Sequence, residues 1–161
     1  QPCAFETLTT GKVIQVVNTQ SSAVVTGTTV MVQDNTIPQS NEGVEYTSIA
    51  TAITPTNSSN KLLIIVDVFS AHTVGSRTIY GLFQDSTANA IMATAEFDVT
   101  ANAERQVRFS FFMTAGTTSA TTFKLRAMSD SGATITFGGV SGGALYGGVA
   151  FSSMTIMEIL V

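Results

Sequence analysis

TIPQSNEGVEYTSIATAITPTNSSNKLLIIVDVF, residues 36–69, decides the fold. Pro38 fixes its own φ and drives Ile37 toward an extended conformation. Gly43 is free to take φ > 0 where the Ser40-Asn41-Glu42 loop closes. A strand follows, with Ile49, Thr51 and Ile53 on one face and Ser48, Ala50 and Ala52 on the other. Pro55 stops it, and Asn57-Ser58-Ser59-Asn60 is turn chemistry, which also accounts for the Asn57-Ser58-Ser59 sequon. Lys61 then opens LLIIVDVF, residues 62–69. That run is apolar on both faces, so both faces are expected to be covered.

Outward from this stretch the chain keeps the same grammar. Residues 12–18 alternate as a strand, and two short β segments at 24–25 and 28–32 are divided by Gly27. Residues 78–84 and 90–95 read as strands, and 97–102 as a connection. Residues 105–115 alternate most clearly: Val107, Phe109, Phe111 and Met113 share one face, and Gln106, Arg108 and Ser110 the other. Phe123, Leu125 and Ala127 give its partner. Residues 134–137 and 150–161 complete the set. Six glycines fall within residues 138–148, which predicts a long flexible loop. No window of twelve carries a helical cap and a 3.6-residue apolar stripe. About nine or ten short strands with turns every 8–12 residues indicate an all-β antiparallel β-sandwich. The 161 residues make a single domain over 11–161, led into by residues 1–10.

Three stretches carry a family resemblance: GKVIQVV (residues 11–17), DNTIPQSNEGVEY (34–46) and ITPTNSSNKLLI (53–64). With the ending SSMTIMEI (152–159), they resemble the C-terminal domains of tail-fibre and related fibre proteins of bacteriophages. The resemblance runs from Gly11 to Val161. It implies a jelly-roll fold, assembly as a homotrimer, and a tip that binds a cell-surface receptor, on a virion tail fibre or an extracellular fibre. Gln1 in place of Met fits a processed chain or a piece of a longer fibre.

Composition points the same way. Charged residues make up 11% of the chain and hydrophobic ones 44%. The usual charged share is about 25%, so part of the surface is expected to lie against other copies. The two-faced apolar strands nominate the interface: Leu63, Ile65 and Phe69, and Ile156 with Met154 or with Met157 and Ile159. The net charge of −4 with seven Lys and Arg excludes a nucleic-acid partner. One cysteine, Cys3, permits no internal disulfide and reads as a tolerated thiol near the terminus. No apolar run of about 20 residues is present to insert in a membrane as a helix.

The chemistry of sites is sparse. Cys3 and His72 are the only thiol and imidazole, so no zinc site and no cofactor are expected. Asp34, Glu42 and Glu45 flank one loop, but their spacing matches no calcium loop, and solvated turn residues account for them. A Ser-His site would need His72 as base, with no Gly-x-Ser-x-Gly elbow to go with it. Glu96 and Asp98 would share a side if extended, the minimum for glycoside cleavage. The chain is read as a non-enzyme. Receptor contacts are assigned to loops on a rigid scaffold: His72 and Arg77 in residues 72–77, and Leu145 and Tyr146 in the glycine-rich loop. Few charges beside Tyr, Arg and amides suit a glycan. The rival is a purely structural virion module, a capsid decoration or trimerisation cap.

Overall fold

The computed structural model describes residues 11–161, so the lead-in expected over residues 1–10, with Cys3, lies outside the described residues. Thirteen strands follow in chain order: β1 (Val13–Ser21), β2 (Val25–Gly27), β3 (Val44–Glu45), β4 (Thr51–Ile53), β5 (Lys61–His72), β6 (Arg77–Gln84), β7 (Met92–Phe97), β8 (Arg105–Thr114), β9 (Thr121–Ser129), β10 (Ile135–Phe137), β11 (Gly139–Val140), β12 (Gly143–Ala144) and β13 (Ser152–Ile159). Two short 3-10 turns, Thr47–Ile49 and Tyr146–Gly148, are the only helical elements among the described residues.

Eleven of the strands form two antiparallel sheets packed face to face, a jelly-roll-like β-sandwich, and β11 and β12 pair apart from them. In the first, β5 is central. β8 pairs along one edge; β13 and β10 share the other and are followed by β1 and β2. In the second, the order is β7–β6–β9, and β3 and β4 share the far edge of β9. The run expected to be central is therefore central. Its alternation puts Leu62, Ile64, Val66 and Val68 in the core, where they meet Phe123 and Leu125 of β9 within one buried cluster. Thr51 and Ile53 are buried while Ala52 is exposed, as the two-residue period requires; Ile49, expected in the same strand, is buried from the 3-10 turn before it. Tyr46 stacks flat on Phe137 at 4.6 Å and donates its hydroxyl hydrogen to the Ala23 carbonyl at 2.7 Å.

Four local readings change. The strand of Phe123, Leu125 and Ala127 is not the partner of residues 105–115: β8 pairs with β5 in the first sheet and β9 with β6 in the second. Residues 28–32 form no strand; they run over the second sheet, where the Met31 N–H donates to Ser129 and the Gly43 N–H to Val30. Gly43 takes φ +66°, as expected, and a Cβ there would stand 2.6 Å from the Met31 Cε. The strand placed over 90–95 is shifted to Met92–Phe97, so Phe97 belongs to β7 and not to the connection. The glycine-rich stretch is not a free loop: β11 and β12 make a hairpin within it. A Cβ on Gly139 would collide with the Gly143 carbonyl. Glycine is therefore required there for close backbone packing.

Candidate functional site

The two sheets end differently on the outside. On the first sheet the outward side chains line up in rows set by strand register. Val16 of β1 lies opposite Met157 of β13, Met157 opposite Leu63 of β5, and Leu63 opposite Phe112 of β8. Val16 and Phe112, its two ends, are 55% and 56% exposed, and Met157 and Leu63 between them are partly exposed. The next row, Asn18–Thr155–Ile65–Ser110, is mixed. Beyond it Asp67 accepts from Gln106 and pairs with Arg108 at 3.5 Å. An open hollow of about 390 Å³ lies over Leu63 and Ile65, bounded by Arg108 and Ser110.

Leu63 and Ile65 are thus on the outer face, as the interface reading needs. Met154 and Ile156 are not: both point into the sandwich core with no exposure. The alternation of β13 gives its outer face to Thr155 and Met157 instead. Phe69 faces outward but is covered by its own chain, its ring meeting Tyr146 edge-on at 6.4 Å.

The second sheet has a roof. Residues 28–43 cross its outer face and bury Met31, Ile79, Phe83 and Met128. Arg126 clamps the roof's end, donating from Nε to the Glu42 carbonyl at 2.7 Å, from Nη2 to the Gly43 carbonyl at 3.0 Å, and from Nη1 to the Glu45 carboxylate at 2.8 Å. The Glu42 carboxylate holds the middle by accepting from the Gln39 and Val32 N–H groups. The roof stops short of β7 and leaves a groove of about 330 Å³. Its floor is Ile79, Ala93 and Ala95; its walls include Asp34, Thr36 and Arg77. Arg77 lies 5.7 Å over the ring of Phe97, which is 62% exposed. Of the four arginines, Arg105, Arg108 and Arg126 are ion-paired; Arg77 has no carboxylate partner among the described residues. Asp34 accepts two bonds from Thr36, side chain and backbone, which hold its carboxyl below the usual range.

The four receptor candidates are therefore not brought together. Arg77 lines the groove on the second sheet. Tyr146 and Leu145 belong to the segment packed over the first. His72, expected in a loop, is the last residue of β5 and is 7% exposed. Its Nδ1 meets the Val74 carbonyl, while Nε2 is buried without a partner. It lines an internal chamber of about 10 Å³ with Ser70, Tyr80, Glu96, Asp98 and Arg105. Burial pushes the Tyr80 hydroxyl, hydrogen-bonded to Ser70, up to about 12. Glu96 and Asp98 do share a side, but one guanidinium engages both: Arg105 lies 3.1 Å from Glu96 and also contacts Asp98. Burial pushes Glu96 up against the opposing charge of Arg105. The chamber has room for about one water, not for a sugar ring. No group of three or more His, Cys, Asp or Glu that could hold a metal ion forms among the described residues.

The groove escaped sequence reasoning because roof and floor are far apart in the chain. A signal was present in the alternation Ala93, Ala95, Phe97, which puts two small residues and one aromatic on a single face of a strand.

No protein-family model matches the chain, and no curated protein matches it by sequence. Solved structures do resemble it. The Eiger TNF of S. frugiperda aligns with a TM-score of 0.53 at 7% identity, over 89% of this chain and 92% of that one. A carbohydrate-binding module, CBM36 in complex with calcium and xylotriose, aligns at 0.42 and 12% identity over 87% and 98%. An infectious bursal disease virus protein aligns at 0.42 and 11% identity over 91% of this chain and 38% of that one. At 7% identity the likeness to the first of these is one of fold alone, the two-sheet jelly roll.

Proposed function

We propose that this chain is the tip domain of a trimeric fibre, of the bacteriophage tail-fibre kind, and binds a cell-surface glycan for attachment. The observation that carries the reading is the bare row Val16–Met157–Leu63–Phe112 on one outer face. A chain with 11% charged residues that finishes one face with its own roof and leaves the other apolar is built to seat copies of itself there. Leu63, Ile65, Met157 and Phe112 form the contact, and the roofed face turns outward. Attachment then falls to the outward face, where loops stand on a rigid sheet.

Light scattering of the purified chain at micromolar concentration, with adsorption of labelled protein to cells, tests both parts. A trimer that adsorbs is expected. A clean monomer removes the assembly, and a trimer that adsorbs to no cell removes the attachment.

One observation favours a second reading, a structural cap. The glycine-rich segment, the natural apical contact loop, is folded down with Tyr146 against Phe69. Under that reading the trimer forms and no surface is bound.

A further inference from the structure

We infer that the groove between the roof and β7 is a saccharide subsite that takes a neutral pyranose; this rests on the attachment reading above. The floor of Ile79, Ala93 and Ala95 is flat and apolar because two of its three side chains are single methyl groups. A sugar ring presents C–H groups on one face and hydroxyls around its rim. Laid on that floor, it buries the C–H face and turns its rim to the walls. Those walls carry complementary groups. Arg77 supplies donors that no carboxylate of the described chain engages. Both bonds from Thr36 fall on Asp34 Oδ1, which leaves Oδ2 to accept from hydroxyls. Phe97, exposed beside Arg77, extends the apolar floor past the groove's end.

Charge selects the ligand class. Asp34 on one wall opposes an anion, and Arg77 on the other opposes a cation. A neutral polyol offers hydroxyls that donate to the first and accept from the second. The volume of about 330 Å³ suits one or two sugar residues. The groove is also on the sheet that the proposed assembly leaves outside, so three copies present three equivalent subsites, and weak single contacts add through multivalency.

The test uses the full chain on an array of immobilised neutral and acidic oligosaccharides, alongside whole-cell adsorption. Neutral saccharides are expected to bind. Arg77→Ala and Asp34→Ala each remove a rim contact, and Ala95→Phe fills the floor from an exposed strand position. Each is expected to weaken saccharide binding by about tenfold or more with the oligomer intact, whereas Val149→Ser, just after the glycine-rich segment, changes nothing. If the wild type binds neutral saccharides and all three groove variants bind within about twofold of it, the groove is not the site, although the attachment reading stands. Adsorption to cells with no neutral saccharide bound, or with acidic ones alone, overturns the ligand class. A wild type that binds neither cells nor saccharides overturns the attachment reading itself.

Discussion

The outer faces of the two sheets start from the same strand alternation and finish differently. On the second sheet Ile79, Phe83 and Met128 point away from the sandwich core as Leu63, Ile65 and Met157 do on the first. The former are buried to within a few per cent because residues 28–43 lie across them. The latter are only partly covered. The roof exists because its connection is long, is tied to itself by Gly43 to Val30, and is fastened to β9 by Met31 to Ser129 and by Arg126 to its acceptors. Among the described residues, no such segment lies over the apolar row of the first sheet. An apolar strand face therefore says that a cover is needed; it does not say whether the cover is the same chain or another.

Substitutions on the bare face sharpen this contrast most. Leu63→Asp with Phe112→Asp sets a desolvated charge into each proposed contact. Complete loss of the trimer is expected in light scattering, with the fold retained by circular dichroism. An unchanged trimer would mean that copies meet elsewhere.

Within β13 the two faces can be separated by one residue. Ile156→Ala opens a cavity in the core and is expected to cost about 2–5 kcal/mol in denaturant unfolding. Met157→Ala is expected to leave the protomer's unfolding nearly unchanged and to weaken assembly instead. Equal effects of the two on protomer stability would erase the distinction between core and outer face.

The roof can be loosened through its clamp. Arg126→Ala leaves the Glu45 carboxylate and two carbonyls without their donor. A loss of about 1.5–3 kcal/mol is expected, as for hydrogen bonds to charged groups. Hydrogen exchange should speed up over residues 28–43 and stay slow in β5 and β13. Uniform acceleration of both sheets would show the clamp acting on the whole fold.

A counterpart of this clamp lies at one end of the first sheet's inner strands. Glu158 is fully buried and accepts from Thr56, Asn57 and Asn60, fixing the turn before β5 to the last strand. Burial raises its pKa, but the bonds from Asn60, Thr56 and Asn57 outweigh burial and leave it below the ordinary 4.5. A carboxyl lowered in the fold contributes stability that is fully present above the unfolded value and is lost as pH falls through the folded one. Acidification below about 4.5 should therefore erode stability in the wild type. Glu158→Gln should cost roughly 1.5–3 kcal/mol at neutral pH and flatten that acid dependence. An unaltered pH profile in the variant would assign the acid sensitivity to other groups.

The smallest effect is expected at Tyr146. Tyr146→Ala removes an edge-to-face contact with Phe69 that is worth about 0.5–1.5 kcal/mol. It should leave saccharide binding unchanged, because the ring lies over the sheet opposite the groove. A loss of adsorption equal to that of Arg77→Ala would return the glycine-rich segment to the binding surface.

The sequence by itself determined the all-β class, the central place of residues 62–69 and the burial of the last strand, because a period of two between turn residues survives any packing arrangement. It also carried the positive φ at Gly43, which is a local backbone demand. It did not carry which side of β13 faces the core. Met154, Ile156, Met157 and Ile159 are all apolar, and only the sheet opposite gives one set a partner. The inward turn of His72 also comes from β10, which pairs with the end of β5. The groove depends on tertiary structure entirely. Asp34 and Ala95 stand 61 positions apart, and they come to the wall and the floor of one groove because Arg126 and Glu42 pin the roof where it stops short of β7.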